Sequence, residues 1–162
     1  MKTLFLVRHA KSSWDDSTLP DQDRPLNDRG KRDAPRVAKR LAKRGVKIDL
    51  IASSPANRAI STARVLAGKL HYALGDIVVD DRLYPGRVDD LLELVHDLDD
   101  QWARVMLVGH NPALERLAHR LSREITRMPT CAVAQFTFKT KSWAEAGNAT
   151  LATAALESPR KR

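Results

Sequence analysis

Apolar residues along this chain fall into two patterns. Short uninterrupted runs at residues 4–7, 50–52, 77–79 and 105–108 alternate with longer stretches in which apolar positions return every three or four residues. The runs are too short for helices and read as buried strands. Asn27 opens the first helical stretch, with Ala34, Val37, Ala38, Leu41 and Ala42 on one face, and Gly45 supplies a C-terminal stop. Pro35 lies inside it, which predicts a kink or a later start. Ser54-Pro55 and Asn111-Pro112 each read as a helix cap followed by proline at the first helical position. The helices they open would bury Ala59, Thr62, Ala63, Leu66 and Leu70, and Leu114, Leu117, Ala118 and Leu121. Leu91, Leu94, Val95 and Leu98 mark a further helix. Val133, Phe136 and Phe138, with polar residues between, predict a later and less buried strand, and residues 149–156 one more edge.

Strands that alternate with helices and are uniformly apolar predict an α/β fold, a three-layer α/β/α sandwich with a mostly parallel central sheet. The 162 residues suit one domain, taken as 1–157, with a basic tail at 158–162 expected to fray. Apolar residues make up 43% of the chain and aromatics only 5%, so the core must come mainly from Leu, Val, Ile and Ala. A polar stretch from Arg8 to Arg24 is the longest predicted loop, and long loops in compact domains are often functional.

Charge and cysteine narrow the classes. The net charge of +8 favours anionic partners without choosing among them. Lys31, Arg32, Arg36, Lys39, Arg40, Lys43 and Arg44 line the polar face of the first helix, a solvated face that also suits an acidic partner protein. No recognition motif or interleaved aromatic platform points to nucleic acid, so none is expected. The single Cys131 cannot form an internal disulfide or a thiolate metal cage and is expected to be a buried, inert thiol in a reducing, cytoplasmic setting. No apolar run approaches the roughly 20 residues that span a bilayer, so no membrane is expected.

The chemistry collects at strand exits. Arg8-His9 follows the first strand, Gly109-His110 the fourth, and Arg58 falls in the first turn of the helix after the second. In α/β sheets these carboxyl ends face the ligand. Two guanidiniums match the oxygens of a phosphate, and two imidazoles supply a nucleophile or proton carrier near neutral pH. Paired histidines also suit a metal, but each neighbouring Arg would repel a cation by about 4 kcal/mol at ~4 Å and an effective dielectric of ~20. Neither histidine has a carboxylate at ligand spacing, so no metal and no organic cofactor is expected. His71, His96 and His119 lie in or at the end of helical patterns and are read as structural.

These residues sit in a larger pattern. Leu6-Val7-Arg8-His9-Ala10-Lys11-Ser12, then Arg24-Pro25-Leu26 with Gly30, then Ser53-Ser54-Pro55 with Arg58-Ala59 and Thr62-Ala63, then Val108-Gly109-His110-Asn111 resemble, in order, the four blocks of the histidine phosphatase superfamily, the phosphoglycerate-mutase-like fold. They span about residues 3–115. The short chain and the Arg-His-Ala-Lys-Ser variant look most like the small SixA-type phosphohistidine phosphatases. Met128-Pro129-Thr130 resembles a segment near the pocket in those small members. The resemblance implies that His9 attacks phosphorus and forms a covalent phosphohistidine, while Arg8, Arg58 and His110 clamp the phosphoryl oxygens. Nearby Arg charge is expected to hold the His9 pKa down, with a backbone carbonyl fixing the other ring nitrogen.

Two departures matter. Asp15 stands where mutase-like members carry Asn, and its charge would repel phosphate unless it turns away or is protonated. The glutamate general acid of larger members has no counterpart before Tyr84-Pro85-Gly86; Asp81 there and Asp15 in the first loop are the carboxylates that could replace it, and a solvated strand-end carboxylate is the plainer reading of Asp81. Losing a positioned acid typically costs 10²–10⁴-fold on an alkoxide leaving group. Imidazole leaves more easily, so the expected substrate is phosphohistidine in a protein or a small phosphorylated compound. The alternatives are a phosphoglycerate-mutase-like phosphotransferase and a phosphate- or nucleic-acid-binding module without turnover. Oligomeric state is not legible.

Overall fold

The computed structural model describes residues 1–160. Its strands are β1 (Lys2–Arg8), β2 (Leu50–Ser53), β3 (Val78–Val79), β4 (Arg104–Gly109), β5 (Val133–Phe138) and β6 (Leu151–Glu157). Its helices are α1 (Asp28–Lys43), α2 (Asn57–Lys69), α3 (Val88–His96) and α4 (Ala113–Leu121). The strands form one sheet in the order β3-β2-β4-β1-β5-β6. The first four run parallel, while β5 pairs antiparallel with β1 and β6 antiparallel with β5.

Because side chains alternate across a strand, each central strand feeds two cores. Leu4 and Leu6 of β1 and Val105 and Leu107 of β4 pack with α3 and α4. Phe5, Val7, Met106 and Val108 point the other way and pack with α1 and α2. The result is the expected three-layer α/β/α sandwich.

Several local expectations are corrected. β5 is not a less buried strand: Val133, Ala134, Phe136 and Phe138 are all buried, because β6 covers its outer edge and Gln135 and Thr137 are themselves half-buried. The run 77–79 contributes only the two exposed residues of β3 at the sheet edge. α1 starts at Asp28 and continues through Pro35. Asn27 caps it by accepting from the Gly30 N–H at 2.9 Å, and the carbonyl that Pro35 leaves without its donor belongs to exposed Lys31. The cap-then-proline readings fail at both sites. α2 begins at Asn57 with Ala56 as its cap residue, and α4 at Ala113 with Pro112, so Ser54 and Asn111 are free for other partners. At the tail, Arg40 donates to the carbonyls of Ser158 and Pro159, so the chain is still tied to α1 where fraying was expected to begin. Residues 161–162 lie outside the described residues.

The loop after β1 folds back against the start of α1. The Asn27 N–H donates to the Lys11 carbonyl at 3.0 Å, and the Cα of Gly30 presses on the same carbonyl. A Cβ at position 30 would lie 2.1 Å from that backbone oxygen. Gly30→Ala is therefore expected to cost about 3 kcal/mol, the upper range for overpacking, and to lower Tm by roughly 6–12 °C. Thermal unfolding followed by circular dichroism measures it, and an unchanged Tm would refute the packing.

Candidate active site

The chain leaves β1 toward α1 on one face of the sheet and leaves the adjacent β4 toward α4 on the other. Loops that part to opposite faces open a crevice at the strand ends. His9 and His110 stand on either side of it, with ring centroids 5.0 Å apart. Arg8 and Arg58 are close enough to act electrostatically on both rings. Of the residues selected by sequence, these four are brought together.

The main chain of His9 is held on both sides. Its N–H donates to Gly109 O at 3.1 Å, and its carbonyl accepts from the Cys131 N–H at 3.0 Å. The ring is oriented by a 2.7 Å hydrogen bond from Nδ1–H to the Ala10 carbonyl, which leaves Nε2 with a free lone pair. The Ala10 N–H donates to Thr62 Oγ1 at 2.9 Å, and that hydroxyl donates to the Arg58 carbonyl at 2.8 Å. Thr62 thus couples the loop after His9 to the helix that carries Arg58.

Ser54, expected as a cap, instead lies 2.8 Å from Nε2 of His110. Its oxygen also accepts from the Ala56 N–H at 3.1 Å, and with its own proton directed to Nε2, His110 carries its hydrogen on Nδ1. Arg8 is steered from the far side. Its Nη1 donates to the Met128 carbonyl at 3.1 Å, which also accepts from Asn111 Nδ2 at 2.9 Å, while Glu115 accepts from the Met128 N–H at 2.9 Å. Nε of Arg8 and Nε of Arg58 are buried donors with no partner among the described residues. Two guanidiniums gathered with two imidazoles suit an oxyanion.

Both rings are held neutral. The His9 pKa falls to about 4, first because burial penalises the imidazolium and then because Arg58, Arg8 and Arg24 repel it, against the opposing pull of the Ala10 carbonyl. Burial thus outweighs the Arg charge to which sequence reasoning assigned the effect. The His110 pKa falls to about 3, again by burial first, followed by His9 and Arg58.

The acidic candidates lie elsewhere. Asp15 is exposed and faces an outer groove lined by Pro25, Asn27 and Lys31, so it turns away from the crevice. Asp81 is exposed, and its side chain makes no hydrogen bond among the described residues. The carboxylate at the site is Asp21, which sequence reasoning missed. Arg58 Nη2 donates to Asp21 Oδ2 at 2.9 Å, Nη1 donates to the Asp21 carbonyl at 2.7 Å, and the Tyr84 hydroxyl donates to Oδ2 at 2.6 Å. That hydroxyl, together with Arg58 and Arg24, pulls the Asp21 pKa down to about 2 despite some desolvation. Tyr84 meets His110 edge-on at 5.2 Å. Arg24 also donates to Asp21 at 3.2 Å and lies over the Trp14 ring at 3.4 Å. Asp21 carried no signal beyond its place near the end of the long loop, whereas Arg24 opens the Arg24-Pro25-Leu26 block.

The remaining histidines are structural: His96 bonds the Ala146 carbonyl and His119 the Ile125 carbonyl. Cys131 is fully buried, and burial pushes its thiol up to about 12. Among the described residues no group of three or more His, Cys, Asp or Glu is placed to hold a metal, and no helix is long and apolar enough to cross a membrane.

A chloroplastic protein of Arabidopsis thaliana, itself uncharacterised, is 32% identical over 155 residues, covering 90% of this chain and 70% of that protein. The SixA structure from Agrobacterium tumefaciens superposes with a TM-score of 0.80 at 28% identity, covering 95% of this chain and 97% of that one. The protein histidine phosphatase SixA complexed with tungstate gives 0.80 at 26% identity, covering 97% of each chain. These neighbours support phosphatase function. The model of the histidine phosphatase superfamily (branch 1) matches residues 4–85, half of the chain, and the chain belongs to that superfamily.

Proposed function

We propose that this chain hydrolyses phosphohistidine, in a protein or in a small phosphorylated compound, through a covalent intermediate on His9. The observation that carries the reading is the His9 ring itself. Nδ1–H is committed to the Ala10 carbonyl, and Nε2 is an unprotonated lone pair beside Arg8, Arg58 and His110. A ring so held is a nucleophile rather than a base waiting for a proton. The tungstate complex of the similar SixA protein adds that a tetrahedral oxyanion binds to that fold.

In this mechanism Nε2 attacks phosphorus in line with the departing group. Arg8 and Arg58, with His110 through Nδ1–H, hold the non-bridging oxygens as the phosphoryl group passes between nitrogens. The new P–Nε2 bond is then cleaved by water, releasing inorganic phosphate and restoring the neutral ring. No carboxylic acid is poised to protonate a leaving alkoxide, since Asp15 faces an outer groove, Asp81 is solvent-exposed and Asp21 stays ionised. Phosphohistidine protonated on its second ring nitrogen departs as neutral imidazole and needs no such donor.

His9→Ala is expected to abolish hydrolysis of a phosphohistidine peptide, with a loss of at least 10⁴-fold, and Arg58→Ala to lose about 10²–10³-fold, as for removal of an oxyanion donor. Radiolabel from the substrate should be trapped on wild type in acid-labile form and be absent from the His9 variant. Equal turnover by wild type and variant would refute the assignment.

The pH behaviour follows from the two neutral rings. With folded values near 4 and 3 against an ordinary 6.5, the unfolded chain takes up protons first as the pH falls. Stability is therefore complete above pH 6.5 and declines as the pH drops from 6.5 toward 4. Ring ¹⁵N spectra should show His9 still neutral at pH 5 in folded protein. Titration of that ring near 6.5 would contradict the proposed nucleophile state.

A further inference from the structure

Asp21 is the one carboxylate among the described residues that hydrogen-bonds to any of the four clustered side chains. Its position relative to them is asymmetric. His9, Arg58 and His110 are 8%, 6% and 6% exposed, whereas the Asp21 side chain is 48% exposed. The His9 main chain is held by β4 and by Cys131, and a leaving group departs from the buried cluster toward solvent. Asp21 is the solvent-exposed carboxylate on Arg58, with the Tyr84 hydroxyl on its Oδ2 and the Tyr84 ring against His110.

An anion beside a phosphate site needs a reason, since it opposes binding of the phosphoryl dianion. Holding Arg58 does not require the charge. The main-chain carbonyl of residue 21 already accepts from Nη1 at 2.7 Å, and an amide oxygen could still accept from Nη2, more weakly than the carboxylate and without the second oxygen that takes Arg24 Nε at 3.2 Å. What only the carboxylate contributes is a permanent negative charge beside the departing group. Tyr84, Arg58 and Arg24 all stabilise its ionised form.

We propose that Asp21 determines leaving-group specificity: its carboxylate accepts an N–H from a nitrogen leaving group that carries positive charge, and it repels phosphate esters whose leaving group bears a carboxylate or a second phosphate. This rests on the phosphohistidine reading above and narrows it to cationic phosphoramidates. The step balances without an added acid. The Nε2 lone pair of His9 forms the new P–N bond, the old P–N pair returns to the leaving ring, and that ring departs neutral with the proton it brought. Its positive charge fades as the bond breaks, so Asp21 acts on the bound substrate more than on the transition state. The discrimination therefore appears in KM rather than in kcat.

The test is Asp21→Asn, assayed on a phosphohistidine peptide, on p-nitrophenyl phosphate, whose leaving group carries no carboxylate or phosphate, and on 3-phosphoglycerate, whose leaving group carries a carboxylate. Relative to p-nitrophenyl phosphate, KM for the peptide should rise about tenfold and KM for 3-phosphoglycerate should fall about tenfold, the size expected for one charge in a partly solvated site. Opposite signs for the two substrates would establish the assignment. A uniform change across all three would overturn it and make Asp21 a positioning residue for Arg58, and no change would overturn it outright. If wild type leaves the peptide intact, the phosphohistidine reading fails, while the comparison of 3-phosphoglycerate with p-nitrophenyl phosphate still decides the repulsion at Asp21.

Discussion

The site depends on keeping one imidazole neutral in a crevice where guanidiniums gather. Three arginines near His9 would by themselves make any proton on it costly, but burial is the larger effect. The ring is buried because β1 ends between β4 and β5 and passes His9 directly beneath the loop that carries Cys131. Position in the sheet therefore sets the protonation state, and the protonation state sets the chemistry. The Ala10 carbonyl then selects which nitrogen is free. Fold, tautomer and reactivity here are consequences of one strand's place at the switch between two faces of the sheet.

Most of that was legible in the chain before any coordinates. Arg8, His9 and His110 sit immediately after uniformly apolar runs, and a residue directly after a buried strand has little freedom in where it goes. Arg58 lies in the first turn of a helix that enters from the same edge. What stayed hidden follows from the opposite condition. Asp21 and Arg24 belong to an irregular loop in which sequence spacing carries no geometry, so their approach to Arg58 could not be inferred from pattern. Ser54 was misassigned because a serine before a proline carries the same local signal whether its hydroxyl caps a helix or bonds a histidine across the sheet. β5 was taken as less buried because alternation signals one wet face, whereas α1 and β6 shelter that face, and Gln135 meets Arg44 there at 2.7 Å.

Supporting residues divide the work by direction. Thr62 ties the backbone after His9 to the helix of Arg58, so these two groups move as a unit. Glu115, Met128 and Asn111 do the same for Arg8 from the α4 side. Neither network touches the open mouth, which is left to Asp21 and Tyr84. Rigidity is thus concentrated around His9, Arg8 and Arg58, while Asp21 and Tyr84 stand at the more exposed side of the cluster.

The two unpartnered Nε donors fit this division. A buried polar group without a partner costs about 1–3 kcal/mol, more when charged, and such groups are rare in folded proteins. Arg8 and Arg58 each carry one while their terminal nitrogens are tied to carbonyl oxygens and a carboxylate. The terminal bonds fix the guanidinium planes. Since the planes are fixed in advance, little reorganisation is needed when charge develops beside them.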